Sequence, residues 1–271
     1  MNDHKSKLLK RFYNNKLGVL GAILVLIVIF LAIFAPLISP YAPEEMNILY
    51  KRQAPQKDFI FGTDKFGRDI FSRIIYGSRV SLTVGIISVG IGVFFGIILG
   101  LYSGYTGSIL DNIIMWFMDM LMSFPSILLA LVVITVLGSS LVNTMIAIGI
   151  TYIPTFTRIV RGSVMEVRDQ EFVEAAKVIG AKDFKILFKH ILPNVMAPII
   201  VQATLALSGA ILTEATLSFL GLGVQPPMPS WGSMLSDSRT YMELAPWTVI
   251  FPSIAIMFSV LGLNILGDGL R

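Results

Sequence analysis

The chain has 271 residues, 55% of them hydrophobic and only 14% charged, with a formal net charge of +4. That much apolar side chain exceeds what a soluble domain of this length hides, so the composition points to an integral membrane protein. There is no cysteine, and His4 and His190 are the two histidines. Disulfide frameworks, thiolate metal sites, cysteine nucleophiles and HExxH zinc sites are therefore excluded, and the mild basic excess reads as a topology signal rather than a nucleic-acid surface.

A helix needs about 20 apolar residues to cross the hydrocarbon. Residues 1–16 form a basic tail (Lys5, Lys7, Lys10, Arg11, Lys16), expected in the cytoplasm, and 17–38 predict an anchor span without a charged residue. A signal peptide shares the basic start, but its apolar core is only ~7–15 residues and no cleavage site follows here. Residues 39–79 predict an external or interfacial segment. Within it, 66–79 predict an amphipathic helix at the membrane boundary, with Ile70, Phe71, Ile74 and Ile75 on one side. Arg68, Asp69, Ser72, Arg73 and Arg79 occupy the other side, Asp69 and Arg73 forming an i,i+4 pair.

Residues 80–271 predict a core of five further spans. The first, 80–101, carries Gly92, Gly96 and Gly100 on one face, a spacing that permits close helix contact. Next come 113–137, with Asp119 and Pro125, and 141–157, with Pro154 near its end and Arg158 just beyond. The last two are 197–219, containing Glu214, and 247–266, where Pro252 predicts a kink. Between them, 224–238, with Pro226, Pro227, Pro229 and Trp231, read as an ordered outside turn.

Basic residues favour the cytoplasmic side. Four spans return the chain to the side of its tail before Arg158, Arg161, Arg168, Lys177, Lys182, Lys185 and Lys189. Two stretches resist this parity. Residues 39–79 should be outside yet hold seven basic residues, and 102–112 should be inside yet hold none.

Residues 166–194 are a polar loop in a chain that is otherwise mostly oil. Phe172, Ala176 and Ile179 stand at i, i+4 and i+7, giving a first short helix an apolar stripe, and Gly180 follows where a helix end favours glycine. A second short helix shows Phe184, Leu187, Phe188 and Ile191 on one face, with Asp183 early and Lys185, Lys189 and His190 late, as the helix dipole favours. Pro193 is expected to close it. Periodicity alone leaves two readings open: a loop lying on the lipid surface, or a docking element for a protein partner.

Glu174-Ala175-Ala176, then Gly180, then a helix ending in Leu192-Pro193-Asn194 resembles the cytoplasmic EAA loop of permease subunits in bacterial ABC importers. FGTDKFGRDIFSRIIYGSRVSL (61–82), MDMLMSFPSILLAL (118–131) and EATLSFLGLGVQPPMPSWGSML (214–235) look like segments of the dipeptide, oligopeptide and nickel permeases, more narrowly of the C-type subunit. The resemblance implies an all-α integral membrane protein of six transmembrane helices with cytoplasmic coupling helices, the type I importer permease fold, in a bacterial inner membrane with both termini cytoplasmic. It implies a second, homologous permease chain, two ATP-binding subunits that carry Mg-ATP, and an external solute-binding protein. It also implies that Glu174, Ala175, Ala176, Gly180, Ala181, Phe184, Leu187 and Phe188 couple to the ATPase. The chain itself has no GxxxxGK[ST] phosphate loop and is expected to be non-catalytic, without a bound cofactor or metal.

Asp119 and Glu214 are the ionisable residues deepest in the expected spans. They read either as polar groups along the pathway or as partners in interhelical hydrogen bonds. A proton-coupled secondary transporter using these two carboxylates is the alternative function, although the internal repeats common in such folds are not evident. An intramembrane hydrolase lacks any elbow motif to position its serine. Short peptides, nickel and metal chelates all remain open as cargo.

Overall fold

A computed structural model describes residues 15–270, so His4, Lys5, Lys7, Lys10, Arg11 and Arg271 lie outside the described residues. Nine helices of three turns or more, or of functional interest, carry the architecture: α1 (Lys16–Ile33), α2 (Ile70–Thr106), α3 (Ile109–Met122), α4 (Ser126–Leu137), α5 (Leu141–Val167), α6 (Glu171–Val178), α7 (Asp183–Phe219), α8 (Trp231–Ser238) and α9 (Trp247–Leu270). Among the described residues the β-type pairing is confined to an isolated bridge between Thr63 and Asp69.

Helices α1, α2, α7 and α9 are long and apolar enough to cross a membrane. The expected span 113–137 is not straight: α3 and α4 meet at a 92° bend, and count as a fifth crossing if the pair is one span. Pro125 sits at the bend, where it has no N–H to give and disfavours helical backbone at Phe124 before it. The expected span 141–157 lies within α5, whose 27 residues suffice in length. Asn143, Thr144, Thr151, Tyr152, Thr155, Thr157 and Arg158 dilute its apolar character, so it falls short of the apolar spans, and Thr144, Ala147, Ile148, Pro154, Phe156 and Thr157 are buried inside the chain.

The amphipathic helix expected at 66–79 is not a separate element. Asp69 caps α2, its Oδ2 accepting from Ser72 N at 2.7 Å, and the helix then runs unbroken for 37 residues, about 55 Å. The boundary expected at 79/80 falls inside this rod. Nor does its polar face meet water: Arg68, Asp69, Ser72 and Arg73 are all buried. The segment before α2 and helix α8 cover that face and match its charges. Arg68 Nε donates to Asp64 Oδ2 at 2.6 Å, Arg68 Nη2 to Asp237 Oδ2 at 3.2 Å, and Lys65 Nζ to Asp237 Oδ1 at 2.8 Å. The expected Asp69–Arg73 pair does not form, because Asp69 serves its own helix end and Arg73 Nη1 donates to the Pro43 carbonyl at 2.8 Å. Arg79 donates to the Ala32 and Ile33 carbonyls, closing the free end of α1. Arg68 and Arg73 are thus buried, and Lys65 and Arg79 are paired within the chain, whereas Lys51, Arg52 and Lys57 are exposed.

The centre of the molecule is the α2–α5 pair. A Cβ added at Gly92, Gly96, Gly100 or Gly104 would lie 2.6, 2.4, 2.6 or 2.8 Å from the Cβ of Tyr152, Phe156, Val160 or Val164. Both sets repeat every four residues, so the glycine stripe of one helix receives a ladder of larger side chains from the other. A second close pair joins α1 to α9, where Gly21 meets the backbone of Leu266 and Gly262 meets Leu24. Helix α7 packs between these pairs, and its buried Val195, Ile199, Ala206 and Ala210 join the central core. The turn expected at 224–238 ends as α8, opened by a capping box between Ser230 and Ser233. Trp231 is fully buried there, donating its Nε1–H to the Ile74 carbonyl at 3.0 Å.

Candidate functional site

The polar loop folds as a helix, a glycine elbow and the start of a second helix. In α6, Glu171 and Glu174 lie in the first turn and Lys177 in the last, so the charges follow the helix dipole. The elbow is a Schellman turn: Ala181 N donates to the Ala176 carbonyl at 3.0 Å and Gly180 N to the Lys177 carbonyl at 2.9 Å. Gly180 takes φ +82°, a left-handed backbone that side-chain-bearing residues disfavour.

Beyond the elbow the structure departs from expectation. The second helix is not a short lever closed by Pro193; it begins at Asp183 and is continuous with the membrane helix α7. Residues Ile186–Ile191 form a π-helical turn, in which Leu192 N reaches back to the Leu187 carbonyl. The wider turn lets the helix absorb the proline, whose missing N–H and ring would otherwise break an α-helical ladder.

The candidate coupling residues separate into two sets. Ala176 and Leu187 are buried within this chain, joining Val173, Ile186 and Ile191 in the central core, and Ala181 is half-buried against it. Glu174, Ala175, Gly180, Phe184 and Phe188 are exposed. Ile179, expected on the buried stripe of α6, is instead 85% exposed, because the C-cap turn rotates it off the helix face. With Val178 at 87% and Phe184 at 73%, it makes an apolar tip on an otherwise polar element. Phe184 and Phe188 lie side by side, ring centroids 4.6 Å apart. Sequence reasoning missed Val178, and the signal was available: an apolar pair directly before a C-cap glycine has no helix of its own to pack on.

The elbow is tied to the bundle by polar contacts. Tyr105 Oη donates to Asp183 Oδ1 at 2.9 Å, and Lys177 Nζ lies 5.4 Å from the centre of the Tyr105 ring. Arg168 Nη1 donates to the Gly104 carbonyl at 2.9 Å. Arg161 grips Asp111 with both Nε and Nη2, at 2.7 and 2.8 Å, while Ser103 donates to the same carboxylate. The loop expected at 102–112 narrows to Gly107 and Ser108 between α2 and α3, and the basic residues of α5 contact its flanks.

The two deep carboxylates differ. Asp119 is exposed and forms an ion pair with Arg158 across the α3–α5 interface. Glu214 is fully buried; Ser218 Oγ donates to its Oε1 at 2.7 Å and Ser81 Oγ to its Oε2 at 3.3 Å, joining α7 to α2. No group of three or more His, Cys, Asp or Glu positioned for a metal occurs among the described residues.

Residues 92–271 match the family described as binding-protein-dependent transport system inner membrane component, and residues 6–55 match the N-terminal TM domain of oligopeptide transport permease C. The chain belongs to this family of inner membrane transport components. It is 51% identical to the dipeptide transport system permease protein DppC of Alkalihalophilus pseudofirmus, over 97% of this chain and 86% of that one. It is 44% identical to the glutathione transport system permease protein GsiD of Pectobacterium atrosepticum (97% and 87%) and 42% identical to the oligopeptide transport system permease protein OppC of Bacillus subtilis (96% and 86%). A solved structure of the MetNI methionine ABC transporter, inward facing, aligns with TM-score 0.59 and 19% identity over 72% of this chain and 93% of that one, which establishes a shared fold. The permease is therefore a helical integral protein of the inner membrane and a non-catalytic transport component, with ATP hydrolysis falling to separate subunits. The proton-coupled alternative draws no support from these relatives.

Proposed function

We propose that this permease forms half of the translocation pathway of an ATP-driven importer for short peptides and couples to its ATPase through the elbow at Gly180. The observation that carries the coupling is the apolar tip of Val178, Ile179 and Phe184, three large side chains left without cover at the far end of a charged loop. Isolated exposed apolar residues are ordinary, but three flanking one fixed glycine elbow, two before it and one after, suit a hydrophobic groove in a partner. The occupant of choice is a nucleotide-binding subunit, because a non-catalytic transport component must receive work from a protein that hydrolyses Mg-ATP. Glu174, exposed on the same helix as the tip, serves as the polar rim of that contact.

The remaining assembly is a second, homologous permease chain, two ATP-binding subunits and a solute-binding protein outside, with both termini of this chain in the cytoplasm. Short peptides are favoured as cargo because the relatives named above serve dipeptides, glutathione and oligopeptides. Nickel and metal chelates are set aside, since none of those names refers to them. Replacing Glu174 with Lys, or Gly180 with Val at its positive φ, should uncouple ATP hydrolysis from peptide uptake while leaving membrane insertion intact. Peptide uptake and ATPase activity in proteoliposomes containing the whole importer check this, and unchanged uptake by both variants would count against the assignment.

A further inference from the structure

We infer that the end of the protein opposite the elbow holds a carboxylate-binding subsite, in which the guanidiniums of Arg68 and Arg73 receive the free C-terminal carboxylate of a peptide. The inference rests on the peptide-importer reading above. A cavity of about 170 Å³ opens there between the end of α7, the following loop and α8; Arg68, Arg73, Ser218, Ser236 and Asp237 are among its polar walls, and Val224, Pro226 and Met228 make it apolar elsewhere. One water needs about 10–15 Å³ of such space, so there is room for several waters, or for a carboxylate and the residue that bears it.

Both arginines are almost entirely buried, at 3% and 2% exposure. Arg73 spends Nη1 on the Pro43 carbonyl, but its Nε is buried without a hydrogen-bond partner and lies 3.9 Å from Asp64 Oδ2. A buried donor left unmade is costly, and the residue that carries it also lines the cavity, so an acceptor entering there would meet an unspent guanidinium. The charges point the same way. Three cations, Lys65, Arg68 and Arg73, meet two carboxylates, Asp64 and Asp237. Asp69, the third acid of this stretch, turns Oδ2 onto Ser72 N, and burial holds its carboxyl above the ordinary value. One further anion completes the set, and the planar arginine fork suits a carboxylate.

Position fits the role as well. Helix α2 runs from Arg73 beside the cavity to Tyr105 beside Asp183 at the elbow, so the subsite and the coupling tip occupy opposite ends of one rod. In the proposed orientation, cargo arrives at the arginine end.

The test uses the assembled importer in lipid nanodiscs without its binding protein, with the dipeptide Ala-Phe and its C-terminal amide as probes in saturation-transfer NMR. Ala-Phe is expected to bind, and the amide to bind at least tenfold more weakly. Ser236→Asp, which places a competing carboxylate at the cavity wall, should weaken Ala-Phe at least tenfold and leave the amide unchanged. Arg73→Lys, which keeps the charge but loses the fork, should give a smaller loss of the same selectivity. A monodisperse, fully assembled complex reports that the variants are folded. Absence of Ala-Phe binding, equal binding of acid and amide, or wild-type binding by Ser236→Asp overturns the inference. So does a loss seen only with the binding protein present and alike for both probes, which would assign the cavity to an acidic side chain of that protein. Peptide uptake by the wild-type importer is measured in parallel. Uptake without acid–amide discrimination sinks the subsite alone, whereas failure to import any peptide tells against the importer reading itself.

Discussion

Adding one methyl group at Gly96 should separate the two central helices. A Cβ there would lie 2.4 Å from Phe156 Cβ and 3.0 Å from both Phe156 C and Thr157 N. Carbon atoms rest about 3.5–4.0 Å apart, so α2 and α5 must part by roughly 1 Å or more. The obstacle is backbone and Cβ, and no rotamer change relieves it. Overpacking of this kind costs about 1–3 kcal/mol, and here the displacement also loosens the rungs at Gly92, Gly100 and Gly104. Gly90→Ala is the internal control, since it lies on the same helix with no atom within 4 Å of the added Cβ. It should be neutral or stabilising by less than about 1 kcal/mol. Unfolding of the purified protein in mixed micelles, titrated with SDS, compares the two. If Gly96→Ala proves as stable as Gly90→Ala, the two helices are not held by the glycine stripe and the packing argument fails.

The two carboxylate bridges to α5 should differ in weight. Asp119→Ala, which breaks an exposed pair with Arg158, should cost no more than about 1 kcal/mol. Asp111→Ala leaves Arg161 and Ser103 without a shared acceptor and should cost at least twice as much in the same titration. Glu214→Gln keeps an acceptor for Ser218 and Ser81, whereas Glu214→Leu strands both hydroxyls; the leucine variant should lose about 1–3 kcal/mol more than the glutamine variant. At the start of α2, burial raises the Asp69 carboxyl above its ordinary value of 3.8, so its contribution is favourable while protonated and is lost as pH rises through the raised value. Asn caps a helix as well as Asp does. Asp69→Asn should therefore match or exceed wild-type stability at pH 7, with its advantage shrinking in melts run toward pH 4.

Helix content, the glycine stripe and the elbow at Gly180 were legible in the sequence, because each rests on local spacing or on one residue's backbone freedom. What escaped was long-range. Arg68 and Arg73 read as a wet helix face, since nothing local says that Asp64 and Asp237 will be folded over them. Arg79 read as a topology charge, and its actual partners are carbonyls of α1 more than 40 residues earlier. Asp119 and Glu214 looked alike by depth, yet one is exposed beside Arg158 and the other is sealed among serines. Pro193 read as a stop, and a π-turn carries the helix through it. In the candidate site the elbow was readable, but the division between buried and exposed apolar residues depends on which way the C-cap turn rotates Val178 and Ile179.

The continuity of α7 changes what the elbow can transmit. Two short levers hinged at both ends would dissipate a push at Gly180 in their own rotation. Here Phe184, at the tip, and Glu214, bonded to α2 at the far end, stand on one helix of 37 residues. A displacement at the tip must move that helix as a body or be absorbed within it, and the structure offers a place for absorption at the π-turn Ile186–Ile191. Yet Ile186 and Ile191 are fully buried in the central core beside Val173 and Val164, so the turn is clamped rather than free. Phe188 and Lys189 face out on its other side, and π-turns are common sites of helix bending. Under the proposed coupling, motion imposed at the elbow would tilt the membrane part of α7 about the core, carrying Glu214 and the cavity wall at Ser218 with it.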